Sequence, residues 1–253
     1  DDIKNEQILN KILHGDCLDL MKDIEDKSID MILCDLPYGT TQAKWDTVIP
    51  LEPLWEQYNR VIKDNGAIVL TACQPFTSSL VMSNKKMFKY SWVWEKSKAT
   101  GFLNAKKRPL VAHEDILVFY KKQPVYNPQM TLEKPYNKGV RKQQTDDDIY
   151  GEFKQTEVKS EGLRYPRSVQ YFKTAESEGK TYHKTQKPLA LFEYLVKTYT
   201  NEGETVLDNC IGSGTTAIAC VNTNRNFIGI EKELEYCEIA NERIKQAEES
   251  KAS

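Results

Sequence analysis

Four acidic residues stand where an apolar run stops: Asp16, Asp35, Asp208 and Glu231. An ionised carboxylate in such a place is an acceptor facing whatever lies beyond the end of the strand. Asp35 opens the string Asp35-Leu36-Pro37-Tyr38-Gly39. That string offers a carboxylate, then the peptide carbonyl of Leu36, then Pro37, which has no N–H and restrains residue 36 toward an extended conformation. Tyr38 adds an aromatic face on which a planar group can stack. A second constellation is Cys210-Ile211-Gly212-Ser213-Gly214-Thr215-Thr216, which follows Asp208. A Gly-x-Gly turn between a strand and a helix lets the backbone approach a ligand closely, although it also serves as an ordinary helix start. The separation from Gly212 to Glu231 matches that between a nucleotide-binding glycine loop and the carboxylate that accepts two ribose hydroxyls. Thr215-Thr216-Ala217 replace the third glycine of the dinucleotide pattern. This disfavours NAD and favours a mononucleoside-like ligand.

The elements that position these residues alternate. Lys11 to Asp16 reads as a short strand, and Leu18, Met21 and Ile24 give the next segment helical spacing. Ile29 to Cys34 is an apolar run with one polar break, the pattern of a parallel strand covered on both faces. Leu51, Leu54, Trp55, Tyr58, Val61 and Ile62 recur with helical period, and Asp64-Asn65-Gly66 stops them. Strands follow at 67–70, 90–94 and 116–120. From about 121 to 184 periodicity fades, Pro, Gly, Gln, Lys and Asp rise, and an irregular insertion is expected. Order returns with a helix from Lys187-Pro188 to Tyr199, a strand at 205–208, a helix to Val221, a strand at 227–231 and a charged helix over 233–249. Alternating strands and helices imply a parallel sheet, and ligands of such sheets collect at the carboxyl ends of the strands.

The 253 residues fit one enlarged α/β domain or a domain with an insertion, and 40% hydrophobic residues suffice for a core. No apolar run approaches a membrane span. The first residues, Asp1-Asp2-Ile3-Lys4, lack a secretory apolar region and an initiator Met, so trimming is expected there. Six cysteines without a Cys-x-x-Cys pair read as reduced core thiols of a cytosolic protein. His113 and His183 are far apart without ligand spacing, so no metal site is expected. The net charge of −2 conceals an uneven distribution: residues 84–187 hold 22 Lys/Arg against 12 Asp/Glu, and the remainder is net acidic. A basic middle in an acidic frame is either a polyanion footprint or a solvated face.

Taken together, these motifs resemble a known family. Asp35-Leu36-Pro37-Tyr38 resembles the Asp-Pro-Pro-Tyr motif of amino-methyltransferases acting on adenine N6, for which Ser-Pro-Pro-Tyr is the usual cytosine-N4 version. Leu207 to Thr216 is similar to the family's cofactor motif, and His183-Lys184-Thr185-Gln186-Lys187-Pro188-Leu189 to the motif just before it. The catalytic motif precedes the cofactor motif, with a variable region between. That permuted order is the one of the β group of DNA amino-methyltransferases, found in prokaryotes and phage. Two departures stand out. Leu36 replaces the first Pro, which keeps the carbonyl, and Cys210 replaces a Phe, which leaves the cofactor pocket less filled.

The resemblance implies a Rossmann-like α/β S-adenosylmethionine-dependent methyltransferase fold. Its sheet is expected to be seven-stranded, mostly parallel and circularly permuted, with helices on both faces. It implies a catalytic half at 1–120, an inserted target-recognition region at 121–182 and a cofactor-binding half at 183–253. The catalytic candidates are Asp35, Leu36, Pro37 and Tyr38. An exocyclic amine is a poor nucleophile because its lone pair is delocalised into the ring. The Asp35 carboxylate and Leu36 carbonyl can each accept one amine hydrogen, while Tyr38 stacks on a base extruded from the duplex. Candidates for holding S-adenosylmethionine are Asp16, Cys17, Asp35, Gln186, Lys187, Pro188, Asp208, Cys210, Gly212, Ser213, Gly214, Thr215, Glu231 and Lys232. Asp16 also suits a helix N-cap, and Pro188 an ordinary helix start.

DNA-contact candidates are Trp45, in the loop after Tyr38, Lys106, Lys107 and Arg108, and in the insertion Arg141, Lys142, Arg164 and Arg167, interleaved with Tyr126, Tyr136, Tyr165 and Tyr171. The expected partners are double-stranded DNA, a second copy of the chain and a cognate restriction enzyme, in a prokaryotic or phage-infected cytoplasm.

Overall fold

The computed structural model describes residues 3–38, 48–140, 157–183 and 185–253. The chain runs through α1 (Ile3–Ile8), β1 (Lys11–His14), α2 (Cys17–Leu20), β2 (Ile29–Asp35), α3 (Leu51–Val61), β3 (Ile62–Ala72), α4 (Phe76–Ser83), β4 (Phe88–Thr100) and β5 (Val111–Phe119). Four short strands follow: β6 (Thr131–Leu132), β7 (Tyr136–Val140), β8 (Glu157–Ser160) and β9 (Leu163–Arg164). The chain closes with β10 (Val169–Phe172), α5 (Leu189–Tyr199), β11 (Thr205–Asp208), α6 (Thr215–Asn222), β12 (Asn226–Glu231) and α7 (Leu234–Ala252).

Eight strands form one sheet in the order β1-β12-β11-β2-β3-β5-β4-β10. Every neighbouring pair is parallel except the two that involve β5, which runs antiparallel to β3 and β4. The period-2 alternation of strand side chains divides the core between the two faces. Ile32 and Cys34 of β2, with Ile68 and Leu70 of β3, pack toward Leu54, Trp55 and Tyr58 of α3. Met31 and Leu33, with Ala67 and Val69, belong to the opposite cluster, with Leu191, Leu195 and Val196 of α5 and Ala217 to Cys220 of α6. Helices thus cover both faces, which is why the central strands are apolar almost throughout.

The sheet has one strand more than the seven expected. The addition is β10, an edge strand paired in parallel with β4, whose alternating exposure gives no continuous apolar signal. The segment expected to be helical over 17–24 is a single α-turn followed by a 3-10 turn at Met21–Asp23. Helix α4 had no counterpart in the periodicity, because its Phe-Thr-Ser-Ser-Leu-Val-Met-Ser sequence is weakly amphipathic. Among the described residues no helix is long and apolar enough to cross a membrane.

Two compact units are present, residues 1–127 with 168–253, and residues 128–167. The second holds the β6–β9 and β7–β8 antiparallel pairs. Of the 121–182 segment read as one insertion, residues 121–127 and 168–182 therefore belong with the main sheet.

Candidate active site at the strand ends

β2 leads into α3 and then β3 on one side, and β11 leads through α6 to β12 on the other. The direction of winding reverses between the adjacent strands β11 and β2. A crevice is expected at the carboxyl end of such a switch point. A cavity of about 940 Å³ lies there, lined by Asp16, Asp35, Asp208 and Glu231 together. Four residues separated by up to 215 positions in the chain meet because each ends or follows a strand of one sheet. Asp16 also caps α2, accepting from the Leu18 N–H at 2.9 Å, which is the helix-cap reading of that residue.

Asp35 sits at the centre of a charge and hydrogen-bond array laid across four adjacent strands. Its Oδ1 accepts from the Thr71 hydroxyl at 2.6 Å, whose residue is its β3 register partner, and from the Tyr38 hydroxyl at 3.0 Å. Its Oδ2 lies 3.5 Å from the Lys187 ammonium. Lys187 also reaches Glu114 of β5 at 2.8 Å, and Glu114 in turn binds Lys96 of β4 at 2.7 Å. Two cations thus face two anions. Lys187 is 7% exposed and Glu114 4%, so neither could remain charged without its partners. Burial acts to lower the Lys187 pKa, but Asp35 and Glu114 outweigh it and hold the ammonium above its usual range. Burial acts to raise Glu114, but Lys187 and Lys96 reverse it and keep the carboxyl below its ordinary value. For Asp35 burial prevails and raises the carboxyl, with Lys187 and the Thr71 hydroxyl opposing. Burial and the neighbouring Glu114 push the Cys73 thiol, 3.5 Å from Glu114, up to about 12. Leu36 is buried beside Asp35, and the Tyr38 ring packs 5.0 Å from Phe76 of α4.

The other half of the cavity is built around the glycine turn. Gly212 donates its N–H to Glu231 Oε1 at 3.0 Å, and Glu233 donates to Oε2 at 2.7 Å, which fixes the carboxylate at the end of β12. Asp208 accepts from the Cys210 N–H at 3.0 Å and the Thr216 hydroxyl at 2.5 Å, and burial pushes its carboxyl up to about 7. Asn209 joins the two sides, accepting from the Tyr58 hydroxyl at 2.5 Å and donating to the Cys17 and Cys210 sulfurs, each 3.6 Å away. Gly214 has φ +93°, and a Cβ there would lie 2.9 Å from the Ala240 Cβ of α7. Only glycine lets the turn adopt this conformation and α7 approach so closely.

Most of the cofactor-holding candidates line this cavity: Asp16, Cys17, Asp35, Gln186, Lys187, Asp208, Cys210, Gly212, Thr215, Glu231 and Lys232. Three act beside it. Ser213 donates to Gln186 at 3.2 Å and accepts from Arg243 through its carbonyl at 2.8 Å. Pro188 is the N-cap residue of α5, and Gly214 is that of α6. Lys106, Lys107 and Arg108 lie in the connection between β4 and β5, and all are exposed. Arg164 is engaged inside its own unit, with the Lys134 carbonyl at 2.8 Å, the Glu133 carboxylate at 3.5 Å and the Tyr136 ring. Arg167, at the end of that unit, is exposed. Gly39, Trp45, Asp46, Arg141, Lys142, Asp146 to Asp148 and Lys184 lie outside the described residues. Sequence reading missed Glu114, Lys96, Thr71 and Asn209. The one available signal was Glu114-Asp115, two acids at the head of the apolar run Ile116 to Phe119.

The family model of the N6/N4 methylases, described as DNA methylase, matches residues 29–242. The chain belongs to this family. It is 31% identical to the type II methyltransferase M.BglII of Bacillus subtilis over 93% of this chain and 69% of that protein. The M1.HpyAVI–SAM complex superimposes with a TM-score of 0.65 at 27% identity, covering 92% of this chain and 98% of the other. The cytosine-N4-specific PvuII DNA methyltransferase gives the same TM-score at 14% identity over 92% and 85% of the chains, a likeness of fold alone.

Proposed function

We propose that this DNA methylase transfers a methyl group from S-adenosylmethionine to the exocyclic N6 amine of an adenine turned out of duplex DNA. The observation that carries the reading is Asp35 at the end of β2, an aspartate where the cytosine-N4 motif has serine, set beside the Leu36 carbonyl and the Tyr38 ring. The residues present suit the cofactor. Asp16, Asp208 and Glu231 supply acceptors for a ligand rich in hydroxyl and amine donors, and the turn at Gly212 lets the backbone come close. Glu231 would hold the ribose hydroxyls and Asp16 the adenine amine, with Gln186 and Thr215 at the far end. When bound, S-adenosylmethionine supplies an electrophilic methyl on a sulfonium centre.

The chain's own task is to make an adenine amine nucleophilic. Asp35 accepts one amine hydrogen and the Leu36 carbonyl the other, which draws the nitrogen toward sp³ geometry and frees its lone pair. Pro37 contributes no competing N–H. The Lys187 ammonium opposes the rise that burial imposes on Asp35, which favours the ionised acceptor the step requires. Tyr38 orients the base plane by stacking. The excess proton leaves the amine after methyl transfer, so Asp35 need not act as a strong base.

Target recognition falls to the inserted region, with homodimer formation, a cognate restriction enzyme and a cytoplasmic location completing the reading. The test is methylation of mixed-sequence duplex DNA with tritiated S-adenosylmethionine, followed by nucleoside mass spectrometry. N6-methyladenine is expected. Detection of N4-methylcytosine would make cytosine the substrate in place of adenine, and no label on any DNA with cofactor binding intact would sink the reading.

A further inference from the structure

The connection between β4 and β5 carries a feature that neither the fold nor the cavity uses. Phe102 is 81% exposed and Leu103 98%, and the two are adjacent. Leu110 and Val111, on the returning arm, are also exposed. Single exposed apolar residues are ordinary, but a cluster at the tip of a projecting turn marks a contact surface. The tip is ordered by its own backbone. Gly101 turns the chain with φ +87°, and the Asn104 and Ala105 N–H groups donate to the Gly101 and Phe102 carbonyls at 3.0 Å each. The Lys107 and Arg108 N–H groups then donate to the Asn104 carbonyl at 2.9 and 3.0 Å. The backbone that carries the two large apolar side chains is thereby set in advance, so binding has only the side chains themselves left to order.

Three observations identify the occupant. Lys98, Ala99 and Thr100, the last residues before this turn, line the cavity that holds Asp35, so the turn rises from its wall. Between Glu95 and Glu114 the chain carries five Lys/Arg and no acidic residue. Three of them, Lys106, Lys107 and Arg108, come two residues after the apolar pair and are exposed. An apolar tip flanked by cations, at the mouth of a site for a base, fits duplex DNA: apolar side chains enter a stack from which a base has left, while cations hold the flanking phosphates.

We infer that the 101–105 turn is a DNA wedge, with Phe102 and Leu103 entering the base stack where the target nucleotide leaves it and Lys106, Lys107 and Arg108 binding the adjacent backbone. The inference rests on the DNA-methylating reading of the site, and on extrusion of the target base in particular. The wedge replaces stacking lost on extrusion and so stabilises the extruded state. Its contribution appears in turnover of duplex substrate, not in cofactor binding.

The test compares the full chain with its Phe102→Ser/Leu103→Ser and Leu103→Met variants on a random-sequence duplex pool, with tritiated S-adenosylmethionine. The double serine variant is expected to lose about tenfold or more in kcat/KM on duplex, and Leu103→Met to retain most of the parental value, because apolar bulk is what fills the stack. Cofactor affinity and thermal melting should match the parent, since neither side chain is buried. Sedimentation of each variant is measured alongside. Parental kcat/KM in the double serine variant would overturn the wedge, as would a loss accompanied by conversion of a parental dimer to monomer, which would make the turn a subunit interface. Absence of label from the parent chain would instead defeat the DNA-methylating reading.

Discussion

Asp35 has two requirements that oppose each other. It must sit in a cavity that excludes enough water to make its hydrogen bonds effective, and it must stay ionised there. Burial raises its pKa on balance, and Lys187 offsets part of the rise. Asp35→Ala is expected to abolish turnover while calorimetric titration still shows cofactor binding, because the Glu231 and Asp208 side of the cavity keeps its hydrogen bonds without it. Glu114 acts through Lys187. Its negative charge also raises the Asp35 pKa, so Glu114→Gln should move the acid limb of the kcat–pH profile to lower pH. The same change leaves Lys187 to bind Asp35 alone and Lys96 without its anion, and kcat should fall by about tenfold or more with KM for DNA less affected. A profile whose acid limb does not move would assign Glu114 a purely structural part. Asp208 illustrates the stability side. Burial raises its folded pKa to about 7 from an ordinary 3.8, so the native state holds this proton more tightly than the unfolded chain. Stability from this group therefore falls as pH rises from about 4 to about 7 and stays reduced above. Asn at 208 has no such dependence, and the melting temperature of Asp208→Asn relative to the parent should rise between about pH 5 and about pH 8.

At the scale of elements, what was legible depended on how each one is buried. β2, β11 and β12 have neighbours on both edges and helices on both faces, and their apolar runs announced them. β4 extends to Thr100, but its last residues are exposed and polar, so only 90–94 read as strand. The glycine turn was legible because its demand is local: Gly214 at φ +93° beneath Ala240 leaves one residue type. Gly214→Ala should cost about 1–3 kcal/mol in urea denaturation and weaken cofactor binding through the displaced turn. The Asp35–Lys187–Glu114–Lys96 array was not legible in the same way. Its members are spread over more than 150 positions, and only the pairing of β5 between β3 and β4 brings them into reach. Spacing along a chain reports local geometry, and this array is a property of sheet order.

At the scale of the molecule, the second unit is bracketed by two anchored points. Asn127 donates its backbone N–H to Thr198 at 2.7 Å and its side-chain amide to the Lys197 and Thr200 carbonyls. Ser168, where the unit ends, accepts from the Val93 N–H at 2.7 Å as β10 joins β4. The chain thus leaves and re-enters the first unit at fixed sites, and the residues named above in the Asp35 array and the glycine turn all belong to that unit. Such an arrangement separates what can be inherited separately. With recognition assigned to the insertion as proposed, replacing 128–167 by the matching segment of a relative, joined at Asn127 and Ser168, should change which DNA sites are labelled while leaving cofactor affinity unchanged, as read by sequencing of modified plasmid and by titration. Chemistry and address would then be free to diversify at different rates, the one held by the sheet and the other carried between two anchors as an exchangeable cassette.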